Sequence, residues 1–169
     1  IMVGSGLGAK NGILFKTAAS LEETGRIEIV ALDKTGTITS GEPAVTDIIP
    51  AEGVSEAEFV TLAASLEQKS EHPLAGAVMQ YAESRKIAPQ EVTDFRALPG
   101  NGLTAVYGGR TLYGGSCAFI GGKLAVPGDM QAKAAALSEA GKTPLMFCDG
   151  DRRLGIIAVA DIIKPDSPQ

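Results

Sequence analysis

The chain has 169 residues, 44% of them hydrophobic and 21% charged, with a formal net charge of -5. That is enough apolar material for a core, and the acidic balance excludes a nucleic-acid surface. Cys117 and Cys148 lie far apart with no Cys-x-x-Cys partner, which excludes a disulfide framework or zinc site and predicts two small buried thiols in a reducing compartment.

No run approaches roughly 18 apolar residues and the start lacks a charged signal region, so the chain by itself is expected to be soluble. It opens without an initiator Met and stops within the polar stretch Pro165-Asp166-Ser167-Pro168-Gln169, as a piece of a longer protein would. Gly4-Ser5-Gly6-Leu7-Gly8-Ala9-Lys10 is glycine-rich, yet it fits neither phosphate-cradling glycine pattern. Ile13-Leu14-Phe15 reads as a short strand, and Thr17 as the cap of a helix over residues 18–23 that stops at Gly25. Residues 27–32, a β-branched and aliphatic run, read as a buried parallel strand with Asp33 at its carboxyl end, where open α/β sheets collect ligands. After Asp33, Gly36 relaxes the loop, and the Thr35 and Thr37 hydroxyls and nearby backbone N–H groups are suited to phosphate oxygens.

Ser40-Gly41-Glu42-Pro43 marks a turn and residues 44–49 a strand ended by Pro50. Ser55 and Glu58 form a capping box for a helix with apolar Phe59, Leu62, Ala63 and Leu66 at helical spacing. Pro73 opens a second helix, with Leu74, Ala77, Val78 and Tyr81 on one face up to Lys86, so His72 lies at a helix start. Residues 93–120 read as a β meander with a Gly108-Gly109 turn. A helix from Asp129 through Leu137 ends at Gly141, and residues 144–148 and 154–160 pair as a hairpin across Asp149-Gly150-Asp151. The pattern predicts an α/β protein in which an antiparallel lobe with flanking helices is inserted into a partly present parallel domain.

Asp33-Lys34-Thr35-Gly36-Thr37-Ile38-Thr39 resembles, without a mismatch, the phosphorylation motif of the P-type ATPases. The resemblance implies that Asp33 attacks the γ-phosphate of ATP and carries an aspartyl-phosphate. It assigns Lys34 as the adjacent cation, the Asp33 carboxylate and Thr35 carbonyl as Mg²⁺ ligands, and Thr37 as a contact to a phosphate oxygen. Glu71-His72-Pro73-Leu74 resembles the nucleotide motif of the heavy-metal branch of that family. The resemblance implies that His72 contacts ATP, with Glu67 on the adenine edge; Glu67 ending one helix and His72 opening the next would turn both to one pocket. Pro99-Gly100-Asn101-Gly102 fits that branch's Gly-x-Gly, and the expectation is that Gly100 and Gly102 let a purine pack on bare backbone. The branch's next Gly-Asn pair falls on Gly115 and Ser116, where Ser has less reach than Asn.

The resemblance further implies that residues 1–42 are the leading part of a haloacid dehalogenase-like, Rossmann-like phosphorylation domain. Residues 43–159 would then be the nucleotide-binding domain, and residues 160–169 the return hinge. It implies ATP and Mg²⁺ as ligands, no nucleic-acid partner, the remaining pump domains as partners, and a place on the cytoplasmic side of a bacterial plasma membrane. Residues 8–16 and 40–43 look most like bacterial copper(I) exporters, whose metal ligands would sit in membrane helices. The family's later Thr-Gly-Asp and Gly-Asp-Gly-x-Asn-Asp motifs are absent from these 169 residues, so full turnover is not expected of them. The alternatives are a zinc or cadmium pump, a module that binds ATP without turnover, and a haloacid dehalogenase-like phosphatase. The last usually carries a second Asp where this chain has Thr35.

Overall fold

The computed structural model describes residues 2–164 and 167; Ile1, Pro165, Asp166, Pro168 and Gln169, and with the last four most of the far end of the expected hinge, lie outside it. The chain divides into two units, residues 1–33 and 34–169.

In the first unit, α1 (Met2–Lys10) and α2 (Ala18–Thr24) are the regular elements. As expected, Thr17 caps α2, its Oγ1 accepting from the Ser20 N–H at 3.1 Å, and Gly25 follows the last turn. The expected strand at residues 13–15 does not form: the Ile13 N–H donates back to the Gly8 carbonyl at 2.9 Å, folding the chain onto the end of α1. Residues 27–32 are likewise not a strand, and Ile29 and Leu32 are exposed. A parallel strand is held by ladders on both sides, and among the described residues no strand pairs with this segment. Composition predicted the burial of these residues; pairing, which composition does not supply, decides it.

The second unit is built on a six-stranded, wholly antiparallel sheet with spatial order β1-β6-β5-β4-β3-β2. The strands are β1 (Thr39–Pro50), β2 (Thr93–Leu98), β3 (Gly102–Tyr107), β4 (Arg110–Gly115), β5 (Thr143–Asp149) and β6 (Arg152–Ile163). Helices α3 (Glu56–Glu67) and α4 (Pro73–Ser84) pack against one face, and α5 (Cys117–Gly121) and α6 (Gly128–Glu139) against the other. The central strands are therefore buried on both sides: on β5, Phe147 enters the α3/α4 layer while Met146 and Cys148 enter the α5/α6 layer. Phe59 of α3 meets Phe147 edge-to-face with ring centroids 5.9 Å apart.

Ser55 caps α3 by accepting from the Glu58 N–H at 3.2 Å, but Glu58 does not complete the expected box. Its carboxylate is taken by Arg152 at 2.6 and 3.2 Å, a fork-like charged pair that outcompetes a neutral backbone donor. The turn expected at residues 40–43 is instead a bulge inside β1: Thr39 pairs with Ile163 and Pro43 with Asp161, with Gly41 left-handed (φ 76°) between them. The meander is also shorter than expected, because α5 starts at Cys117.

Candidate nucleotide site

The connector between α3 and α4 brings Glu67, the last residue of α3, next to His72, the N-cap of α4. Opposite them lies the β2–β3 hairpin, whose turn is tied by the Asn101 N–H donating to the Leu98 carbonyl at 2.9 Å, with Gly100 at φ 74°. Between the two is a cavity of about 560 Å³, and all six residues expected at a nucleotide, Glu67, His72, Gly100, Gly102, Gly115 and Ser116, line it. Its walls include Phe95, Leu98, Leu103 and Leu145 from three strands. These residues belong to no local motif; each is an apolar residue in an alternating strand, indistinguishable in sequence from core.

His72 serves two ends of its ring. Nδ1 accepts from the Leu74 N–H at 3.2 Å and so anchors α4. In the neutral ring the proton is then on Nε2, where it is a donor for a ligand. Glu67 is 6% exposed, and among the described residues no group hydrogen-bonds its carboxyl. Burial without a compensating cation pushes its pKa up to about 7. Lys69, also in the wall, has its ammonium committed to the Val92 carbonyl at 2.8 Å.

The glycines also have reasons within the fold itself. A Cβ on Gly102 would fall on the Gly114 carbonyl oxygen and 2.9 Å from the Phe119 ring. One on Gly115 would lie 2.8 Å from the Gly102 Cα. Close approach of β3 to β4 therefore requires both, whether or not a purine is present. Gly100 has open space around it and is required by its left-handed backbone alone. Ser116 is the N-cap of α5, its hydroxyl accepting from the Phe119 N–H at 3.2 Å, which leaves its O–H proton for a second partner. Ser116 with Gly121-Gly122 was a start-and-stop signal for a short helix, and the strand-like reading passed over it.

Asp33 ends the first unit, whereas Lys34, Thr35 and Thr37 open the second, and none of these three lines the cavity. Residues Lys34–Ile38 form an irregular loop with Thr35 extended and Gly36 left-handed (φ 74°). The return strand holds it. Thr39 Oγ1 accepts from the Gly36 N–H at 3.2 Å, lies 3.0 Å from the Lys34 carbonyl and bonds the Asp161 carboxylate. Asp161 also accepts from the Gly41 N–H at 3.0 Å, and the Lys164 ammonium donates to the Gly36 carbonyl at 3.0 Å. The sequence reads residues 160–169 as a hinge and does not show this clamp, because its partners lie more than a hundred positions away.

Burial raises both thiols, Cys148 to about 11 with help from Asp149 and Asp151, so neither is a ready nucleophile. Cys148 is buried as expected, while Cys117 is only half-buried. Among the described residues no three His, Cys, Asp or Glu side chains cluster as a metal site, and no helix is long and apolar enough to cross a membrane.

The haloacid dehalogenase-like hydrolase family matches residues 27–169. The chain is 44% identical over 170 residues to the copper-transporting ATPase 1 of Rhizobium meliloti (strain 1021), covering all of this chain and 20% of that protein. It is 42% identical over 164 residues to the copper-exporting P-type ATPase of Staphylococcus saprophyticus, covering 97% of this chain and 20% of that one. The crystal structure of a zinc-transporting PIB-type ATPase in its E2.Pi state matches with a TM-score of 0.88 at 38% identity, over 99% of this chain and 27% of that one. The isolated N-domain of a copper-transporting P-type ATPase matches 69% of this chain with a TM-score of 0.58 at 25% identity and is itself 99% covered. The chain spans about a fifth of the length of the curated relatives it matches. It belongs to the haloacid dehalogenase-like hydrolases, and along its whole length it is similar to heavy-metal P-type ATPases.

Proposed function

We propose that this chain is the nucleotide-binding lobe and phosphorylation loop of an ATP-driven heavy-metal pump, with residues 1–42 leading the phosphorylation domain, 43–159 holding ATP and 160–169 forming the return hinge. The observation that carries the reading is the convergence of Glu67, His72, Gly100, Gly102, Gly115 and Ser116 on one cavity of about 560 Å³, a volume suited to a nucleotide. Glu67 meets the base, His72 donates from Nε2 toward the phosphates, and Ser116 offers its O–H. In the intact protein an Asp33 oxygen attacks the γ-phosphorus, the bond from that phosphorus to the β–γ bridging oxygen breaks, and ADP leaves.

Lys34 offsets charge on the incoming phosphate, and Thr37 is the hydroxyl for one of its oxygens. Mg²⁺, which keeps much of its water and takes one or two protein oxygens besides phosphate, fits the hard donors offered by the Asp33 carboxylate and the Thr35 carbonyl. When bound it would supply the remaining charge neutralisation. Copper is favoured as cargo by the names of the relatives, a zinc-transporting pump being the structural neighbour at 38% identity. The cargo would be bound in membrane helices, with this lobe on the cytoplasmic face.

Titration of ATP against the chain and its His72→Gln variant, with a phosphate-release assay alongside, tests the reading. Saturable binding that weakens in the variant, without enzyme-like release, is expected. Release of phosphate at enzyme-like rates would favour a phosphatase instead.

A further inference from the structure

The cavity is electrostatically graded. Glu67 is 6% exposed at its inner end, while His72 is exposed at its mouth. A polyphosphate cannot sit on a buried carboxyl, so, granted that the cavity takes a nucleotide, the base end lies at Glu67 among Phe95, Leu98, Leu103 and Leu145. The titratable groups in the wall are Lys69, Glu71 and His72, all from the α3–α4 connector; β2, β3, β4 and β5 contribute apolar side chains and backbone. Lys69 is held by the Val92 carbonyl and His72 Nδ1 by the Leu74 N–H, so neither is turned over to neutralising Glu67.

We infer that Glu67 reads the purine as a neutral carboxylic acid, and that the pocket's acceptance of adenine is lost when this side chain ionises. The inference rests on the nucleotide reading above. A neutral carboxyl has one O–H donor and one carbonyl acceptor, which match adenine N1 and the N6 amino group together. A carboxylate has acceptors alone: it still takes the N6 amino proton but sets a negative oxygen against the N1 lone pair. Guanine presents N1–H and N2–H donors beside the O6 acceptor, so either protonation state of Glu67 can pair with it. Ionisation is therefore a change of specificity and not simply a loss of affinity.

The burial that raises the Glu67 carboxyl to about 7 sets the range in which the change is read. If only the neutral form pairs with adenine, ATP affinity falls about tenfold between pH 6 and pH 8, while GTP affinity does not follow it. Titration of the phosphates is common to both nucleotides and cancels in their ratio.

The test is calorimetric titration of the 169-residue chain with ATP and with GTP at half-unit steps from pH 6 to pH 8.5, repeated on Glu67→Gln. Gln is a permanently neutral donor-acceptor pair, so its ATP:GTP ratio is expected to be flat, while the parent ratio falls about tenfold between pH 6 and pH 8 and about thirtyfold by pH 8.5. The parent series stands alone if the variant folds poorly. A parent ratio constant across the range overturns the inference. A fall that persists in Glu67→Gln assigns the effect to another group and also overturns it. Absence of saturation with either nucleotide at every pH overturns the nucleotide reading along with it.

Discussion

Replacing Gly102 by Ala separates two reasons for a glycine at the same position. A methyl group there would occupy the space of the Gly114 carbonyl oxygen and press on the Phe119 ring at 2.9 Å and the Gly115 Cα at 3.0 Å. Two of those three neighbours are backbone in the paired strand, where Gly102 stands directly opposite Gly115. The strain cannot be relieved by a rotamer change, so the cost falls in the overpacking range of about 1–3 kcal/mol. For a unit of this size that is about 4–12 °C in melting temperature. Gly100→Ala, in open space but at φ 74°, is expected to cost about 1 kcal/mol through backbone strain alone. Thermal melts by circular dichroism without nucleotide read both values. If Gly102→Ala melted with the parent protein yet bound ATP poorly, the glycine would be serving the ligand and the packing argument would be wrong.

Asp161→Asn removes the charge that receives the Thr39 hydroxyl and the Gly41 N–H, and the Lys34–Ile38 loop is expected to loosen by about 1 kcal/mol. Hydrogen exchange at Gly36 and Gly41 would quicken several-fold while exchange in β4 and β5 stays unchanged; uniform acceleration would point to global destabilisation instead. Lys142, 2.6 Å from Asp47, holds that carboxyl below its ordinary value, with the Thr46 hydroxyl assisting. A depressed carboxyl contributes stability above its unfolded pKa and loses it as pH falls through the folded one. Lys142→Met should therefore cost about 0.5–1 kcal/mol at pH 7, discounted for partial exposure, and almost nothing near pH 2, as read by urea melts at the two pH values. Glu67 is the opposite case, its folded pKa raised by burial to about 7. Stability is lost as pH rises from about 4 to about 7 and is level above that, so Glu67→Gln is expected to gain roughly 3 kcal/mol at pH 8 and little at pH 4. Equal effects at both pH values would remove ionisation as the cause.

Local chemistry was legible in the sequence where a few adjacent residues determine the outcome. Thr17, Ser55 and His72 all cap helices as their positions suggest, and Gly108-Gly109 turns β3 into β4 with both residues left-handed. The six pocket residues were legible through motifs that carry the α3–α4 connector and the hairpin turn. What failed depended on partners distant in the chain. Residues 27–32 have the composition of a buried strand, but burial requires a ladder to join. Glu58 has the spacing of a capping box, but Arg152, ninety-four positions on, claims it. The Ser40-Gly41-Glu42-Pro43 stretch has turn composition, yet β6 lies alongside and converts the turn into a bulge held by Asp161. The sequence gives no sign of the packing reason for Gly102, because the contact that forbids a side chain there comes from the neighbouring strand.

Backbone amide shifts of the chain during titration with ATP give the most direct view of the pocket. Saturable shifts concentrated at Glu67, His72, Gly100, Gly102, Gly115 and Ser116, and shared little by α6, are expected. Saturable shifts confined to other surfaces, or none at millimolar ATP, would contradict a nucleotide site in this cavity.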